Sequence, residues 1–139
     1  MSKPKFHHIY AKAIDSNGAE HYVTVVAKVE QGTEKYKAEL NGDFMDDSYR
    51  IKKGTLTFND KRFYRTVTLG AAICNPIDTF NEEIGVHIAT SRIKKGESIG
   101  SITTHDVTML TEDAIEAELL VKVNHIVANI DNYIADSSL

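Results

Sequence analysis

The change from strand to helix is encoded in residues 70–92, GAAICNPIDTFNEEIGVHIATSR. Apolar residues alternate at the start of this stretch, a spacing that predicts a buried strand. Asn75-Pro76 ends the strand, because proline cannot donate to a ladder and restricts the residue before it. Thr79 and Glu82 then fit a capping box that opens a helix. A strand, a polar turn and a helix N-terminus can bind an anion, although the same arrangement more often forms a plain connection.

Length and composition predict one α+β domain across residues 1–139. With 42% hydrophobic and 26% charged residues, the chain can form a core. The net charge of −4 argues against a nucleic-acid polymer as partner, since proteins that bind one present basic surfaces. No apolar run approaches the roughly 20 residues of a membrane span, and no signal peptide opens the chain, so we expect no membrane partner. The single cysteine, Cys74, excludes an internal disulfide and fits a reducing cytosol.

Residues 1–75 are predicted to be mainly β, because apolar and polar residues alternate in segments separated by turn residues. The predicted strands cover residues 6–14, 21–29, 36–40, 55–58 and 63–73, and a short edge strand is expected over residues 98–104.

Short polar sequences mark where these strands should end. Residues 15–18, DSNG, predict a tight hairpin turn, because Asn-Gly favours positive φ angles. The remaining predicted breaks are turns at Gln31-Gly32 and Asn41-Gly42, a polar loop over residues 43–50 and a second hairpin at residues 59–62, NDKR. The expected fold is an antiparallel β-sheet followed by two helices.

The first predicted helix, of medium length, lies within residues 78–95 and runs from about Phe80 to Lys94, with Gly96 as its C-cap. The second, long helix is predicted over residues 111–135, with Thr111 as N-cap. At 1.5 Å per residue this helix would be about 37 Å long, which exceeds the about 30 Å expected for a compact domain of this size.

An apolar stripe follows the second helix at Leu119, Val123, Ile126, Ile130 and Tyr133. Because of the helix length, we expect the stripe to pack partly on its own sheet and partly on another subunit. A helix that lies wholly on its own sheet would explain the same stripe.

The candidate ligand-binding residues belong to the turn and the first helix or lie near them in sequence. Phe80 offers an aromatic face, Asn75 and Asn81 offer amide edges, and Arg65 and Arg92 offer positive charge. A purine nucleotide needs these three kinds of group. Asp78 would repel phosphate, so it is expected to cap the helix or to accept a hydrogen bond from a ribose hydroxyl. Phe80 as a core residue remains the alternative.

Other residue patterns give weaker signals. Arg50, Lys52, Lys53, Lys61, Arg62 and Arg65 cluster in sequence and predict either a solvated hairpin face or a patch for a phosphorylated ligand. The six histidines lack metal-ligand spacing, and His7 and His8 should point to opposite faces of a strand. We therefore expect no metal, no cofactor and an inert Cys74.

The run from Ala71 to Ile93 resembles the first family of Thoeris anti-defence proteins of phages. The matching positions are Asn75, Pro76, Asp78, Phe80, Asn81, Glu82, Gly85, Ile88, Ala89 and Arg92. The resemblance covers about a sixth of the chain, and Ile93-Lys94-Lys95 departs from the small residues that usually follow. It implies a sponge that sequesters cyclic ADP-ribose isomers, and for some members cyclic trinucleotides, as a dimer or hexamer.

The resemblance favours a non-enzymatic binding protein that captures a nucleotide-derived immune signal in the host bacterial cytoplasm. One rival is a phosphodiesterase or hydrolase of such a signal, using Asp78 and Glu82 or Glu83 near His87. The other is a phage structural or regulatory protein whose long helix binds a host protein. Intact or altered ligand after incubation separates the first two, and the third predicts no nucleotide binding.

Overall fold

The computed structural model describes residues 3–45, 47–74, 80–106 and 108–137. It is an α+β fold in which a four-stranded antiparallel sheet has the order β1-β2-β3-β4. The strands are β1 Lys5–Ile14, β2 Glu20–Met45, β3 Ile51–Cys74 and β4 Gly100–Thr104, and the helices are α1 Glu82–Lys94, α2 Glu112–Ala128 and α3 Ile130–Ser137. The predicted class and sheet are confirmed.

The sheet carries a helix on each face. One face packs on α2 through alternate residues such as Val23, Val25 and Leu69, which belong to the larger core with Leu119 and Ile126. The opposite face packs on α1 through Val26 and Ala72 against Ala89 and Ile93. Side chains of a strand alternate between faces, so the parity of a residue number in β2 or β3 assigns it to the α1 face (even) or the α2 face (odd).

Two glycines set how closely α1 approaches the sheet. A Cβ at Gly70 would meet Ala89 O and Ile93 Cγ1 at 2.6 Å, and a Cβ at Gly85 would meet Thr24 Oγ1 at 2.5 Å. The helix ends in a Schellman motif, because the amides of Gly96 and Glu97 bond back to Ile93 O and Arg92 O at 3.1 and 2.8 Å. Gly96 has φ +78°, so its predicted place at the end of the helix is confirmed.

Strands β2 and β3 are much longer than predicted, and three predicted breaks are wrong. Gln31-Gly32, Asn41-Gly42 and residues 59–62 all lie inside strands. The pairing runs without interruption from Tyr22↔Cys74 to Met45↔Ile51. The connection between these strands lies within the predicted polar loop, and the hairpin at residues 15–18 is confirmed, with Gly18 at φ +82°.

Beyond the reach of β1 and β4, the two strands continue as a two-stranded ribbon. We call this ribbon the β-arm: residues 33–45 of β2 paired with residues 51–63 of β3. Thirteen residue pairs at about 3.4 Å each give it a length of roughly 40 Å. No other strand pairs with it among the described residues.

The predicted long C-terminal helix is wrong, because Asn129 interrupts it. Asn129 adopts φ −119° and ψ 29° and ends α2, while its side-chain amide donates to His125 O at 2.9 Å. Helix α3 begins directly after Asn129, and its Asp131 accepts from Ser16 N of the β1–β2 turn at 2.9 Å. The predicted N-cap of α2 is confirmed, since Thr111 Oγ1 accepts from Ala114 N.

The apolar stripe of this region is buried inside the chain and forms no free seam. Leu119, Val123, Ile126 and Ile130 are all at most 3% exposed, and Tyr133 packs against them. The expectation that part of the stripe meets another subunit is therefore not supported. A helix wholly on its own sheet accounts for the stripe once the break at Asn129 shortens α2.

Candidate functional site

The predicted binding residues at the start of α1 are engaged within the chain. Phe80 stacks on Tyr22, with ring centroids 4.2 Å apart and planes at 16°, and it tilts against Tyr10 at 5.1 Å. The two tyrosines project from the α1 face of β2 and β1. The ring of Phe80 is therefore already covered on the side that faces the sheet. Asn75 and Asp78 lie outside the described residues.

The helix N-terminus itself is capped and acidic. Asn81, and not the predicted Thr79, is the N-cap, because its Oδ1 accepts from Ile84 N at 3.2 Å. Glu82 and Glu83 occupy the first turn, and Glu82 Oε1 lies 2.8 Å from His8 Nε2. Two carboxylates at the positive end of the helix dipole compete with any anionic ligand there.

Arg92 lies at the other end of α1 from Phe80 and Asn81. Its Nη1 donates to Ala71 O at 2.7 Å, which links the helix to β3. Ten residues of helix separate it from Glu82, or about 15 Å along the axis. One small ligand in this chain therefore does not reach both Arg92 and Phe80 without bridging the length of the helix.

Arg65 lies on the opposite, α2 face of the sheet. Its Nε and Nη2 donate to Gln31 Oε1 at 3.1 and 2.8 Å, and its Nη1 donates to Leu110 O at 3.0 Å. The Arg65 guanidinium is thereby held at the N-terminus of α2, beside the N-cap Thr111. The sheet separates Arg65 from the α1 residues, so the predicted site residues divide between two faces.

A small cavity surrounds Arg65 on this face. Its volume is about 90 Å³, and it is lined by Lys3, Lys5, His7, Val29, Gln31, Arg65, Leu110, Glu112 and Ile115. We call it the basic pocket, because three cationic side chains face one carboxylate, that of Glu112. Val29, Leu110 and Ile115 supply the apolar part of its lining. A cavity of this volume is far below the roughly 300 Å³ of a whole-ligand pocket, so it fits an anionic group the size of a phosphoryl.

The polar lining residues that the sequence interpretation missed are Lys3, Lys5, His7, Gln31 and Glu112. Lys3, Lys5 and His7 stand at every second position, and Lys5 and His7 share one face of β1. Basic side chains at every second position of β1 were the sequence signal that could have identified this cationic face. His8, one residue on, faces α1 and Glu82, so the predicted split of His7 and His8 between opposite faces is confirmed.

A further group of ionisable side chains, Glu34, His105 and Arg62, pair with one another. Glu34 Oε1 lies 2.7 Å from His105 Nε2 and 2.8 Å from Arg62 Nε, and the His105 contact, followed by that of Arg62, lowers the pKa of Glu34. Arg62 also lies over the ring of Tyr36 at 5.5 Å. Of the cationic residues that cluster in sequence, Lys52, Lys53, Lys61 and Arg62 are spread over both faces of the β-arm. Arg50 precedes β3 and Arg65 lines the basic pocket. Across the described part of the chain, no three His, Cys, Asp or Glu side chains are grouped to hold a metal.

The chain has no match among protein-family models, curated proteins or solved structures. No helix in the described residues is long and apolar enough to cross a membrane.

Proposed function

We propose that this protein binds an anionic, nucleotide-derived signal in the cytoplasm of a phage-infected bacterium and sequesters it uncleaved. The observation that carries the proposal is the basic pocket. Arg65 is held there by Gln31 and Leu110, and Lys3 and Lys5 line the same pocket. An arginine whose geometry is set before binding loses little entropy when it meets phosphate. The resemblance of residues 71–93 to Thoeris anti-defence proteins points to the same ligand class.

The pocket volume limits what a single chain holds. A phosphoryl group enters the basic pocket, and the base and ribose of the ligand lie outside it. Each charge-assisted hydrogen bond to the phosphoryl contributes on the order of 1.5–3 kcal/mol. Phe80 and Arg92 would contact this same ligand only from another copy, because they lie across the sheet from Arg65.

Calorimetric titration with cyclic ADP-ribose isomers and cyclic trinucleotides tests the proposal, with inorganic phosphate as the minimal anion. A dissociation constant below about 10 μM is expected for one cyclic ligand. Lys5→Ala should weaken binding at least fivefold, since it removes one of the positive charges that line the basic pocket. Lys37→Ala on the β-arm removes the same charge far from the pocket and should leave binding unchanged.

The fate of the bound ligand separates sequestration from hydrolysis. After incubation, denaturation should release the intact compound. Release of a cleaved product would support the hydrolase instead. If none of these ligands binds wild-type protein below about 10 μM, the sequestration proposal is wrong and a protein-binding role takes its place.

A further inference from the structure

The β-arm has one apolar face and one polar face. On the even-numbered side, the α1 face, the apolar side chains are Tyr36, Ala38, Leu40 and Phe44 of β2 and Leu56 and Phe58 of β3. We call this set the apolar arm face. The odd-numbered side carries mainly Lys, Asn, Thr, Glu and Asp, with Met45 and Ile51 at the tip and Phe63 at the base as its apolar residues. The uninterrupted register makes the two faces distinct along the whole arm.

The apolar arm face is open in the single chain. Leu40 is 55% exposed, Phe58 is 50% exposed, and Leu56 and Tyr36 are 44% and 38% exposed. Helix α1 packs on the body of the sheet through Val26 and Ala72 and does not extend along the arm. An isolated two-stranded ribbon is at best marginally stable in water, and an exposed apolar ribbon face promotes association.

The charges at the two ends of this face are opposite. At the end nearer the body, Asp60 lies across from Tyr36, and the neighbouring Glu34 and Arg62 neutralise each other in an ion pair. Lys52 lies across from Phe44 near the tip. A two-fold axis through the middle of the face brings Asp60 of one copy onto Lys52 of the other. The same operation stacks Leu40 and Leu56 on their own equivalents and places each Ala38 over Gly42, where an added Cβ would meet nothing within 4 Å.

The area fits a weak dimer. From Tyr36 to Phe44 the face is roughly 30 Å long and about 10 Å wide for two strands, and its projecting side chains add to the accessible area of that flat footprint. Two such faces bury on the order of 600–1,000 Å² together, the size of a weak or transient interface.

We infer that the apolar arm face binds the same face of a second copy of this chain, with the two arms antiparallel. The interface is isologous, so each contact between two different residues occurs twice, once on each side of the two-fold axis. It lies away from the basic pocket and does not depend on any ligand. It also leaves the polar side of the arm exposed to water.

Sedimentation equilibrium and light scattering on the full-length chain, in the absence of nucleotides, test this inference. Wild type should give twice the 15.5 kDa chain mass, or an even multiple of it, at micromolar concentration. Leu40→Asp should raise the dimer dissociation constant at least 100-fold. Thr57→Asp adds the same charge on the polar face of the arm and should leave the mass unchanged. Because both positions are exposed on the β-arm, we expect both variants to keep the wild-type melting temperature.

Charge exchange tests the antiparallel alignment separately. Asp60→Lys and Lys52→Asp should each weaken association about tenfold, and the double variant should recover most of the loss. A monomeric wild type at 100 μM would overturn the inference, as would a Leu40→Asp variant that dimerises like wild type. Double-variant association no stronger than that of the single variants would overturn it as well.

Discussion

Gly85 of α1 lies directly over Thr24 of β2, so close that a Cβ on the glycine would meet Thr24 Oγ1 at 2.5 Å. A glycine inside a helix costs roughly 1 kcal/mol relative to alanine. Close approach of the helix to the sheet compensates for that cost, and no ligand has to be invoked to explain this glycine. The contact also fixes where the start of α1, with Phe80 and Asn81, rests on the sheet.

Gly85→Ala should destabilise the protein by about 1–2 kcal/mol, because overpacking against Thr24 outweighs the gain in helix propensity. Chemical denaturation followed by circular dichroism measures the change. Thr24→Ala should relieve most of the cost when combined with Gly85→Ala. Gly100→Ala serves as control, since its added Cβ meets no atom closer than 3.6 Å. Additive effects of the two substitutions would argue against the close contact.

Gly96→Ala should cost about 1 kcal/mol, because Gly96 adopts φ +78° in the Schellman motif that ends α1. The loss should appear as a lower midpoint of unfolding with an unchanged slope. Gly100→Ala, at a glycine of β4 without a positive φ, provides the comparison. Equal effects at the two glycines would contradict the role of the left-handed conformation.

Phe80→Leu and Tyr22→Leu should be coupled by about 0.5–1.5 kcal/mol in a double-mutant cycle, the range for stacked aromatic pairs. Each single variant should lower the melting temperature, because Phe80 stacks on Tyr22 with centroids 4.2 Å apart. If Phe80 instead serves only to bind a base, its substitution would weaken ligand binding while the melting temperature stays at the wild-type value.

Ile126→Glu with Ile130→Glu should unfold the chain and not merely dissociate an oligomer. Both side chains are at most 3% exposed in the core that α2 and α3 form with the sheet, and an unpaired buried charge costs several kcal/mol. Leu120→Glu with Val121→Glu places the same charges on the exposed side of α2 and should preserve the circular dichroism spectrum. A folded Ile126→Glu, Ile130→Glu variant of reduced mass would restore the helix as the subunit interface.

Asp15 should make stability depend on pH in the acid range. Its hydrogen bond with His21, followed by that from Ala19 N, holds the pKa of its carboxyl below the ordinary 3.8. A lowered folded pKa means that this contribution is present above pH 3.8 and is lost as the pH falls through the lower folded value. Asp15→Asn should therefore be less stable than wild type at neutral pH and converge with it in strong acid. Asp43→Asn, on the exposed β-arm, should follow the wild-type curve throughout.

Local sequence signals predicted the parts of the fold that depend on local chemistry. Asn17-Gly18, Thr111 and Gly96 act through their own backbone geometry or through hydrogen bonds to nearby amides, and all three are confirmed. Asn41-Gly42 carries the same turn signal and is nevertheless inside a strand, because uninterrupted pairing with β3 holds it extended. A local signal cannot reveal that long-range pairing.

The candidate site was predictable only in part, for a related reason. The residues of the turn and α1 are close in sequence, and Arg65 joined them in the prediction because of its charge. Strand parity puts Arg65 on the other face of the sheet, beside Lys5 and His7. Assigning that face required knowing which helix covers which side. The ligand-binding roles of Asn75, Asp78, Phe80, Asn81, Arg65 and Arg92 remain predictions.

The unbroken register of β2 and β3 restricts which insertions and deletions the β-arm can accept during evolution. Loss of a single residue from each strand near Gly32 and Tyr64 would keep the pairing but turn every distal side chain to the opposite face. The lysines would then lie where Leu40 and Phe58 now project. At the base of the arm, only deletions or duplications that remove or add two residues from both strands together preserve the orientation. Relatives whose arms differ in length at the base should accordingly differ in steps of about four residues, divided equally between the strands.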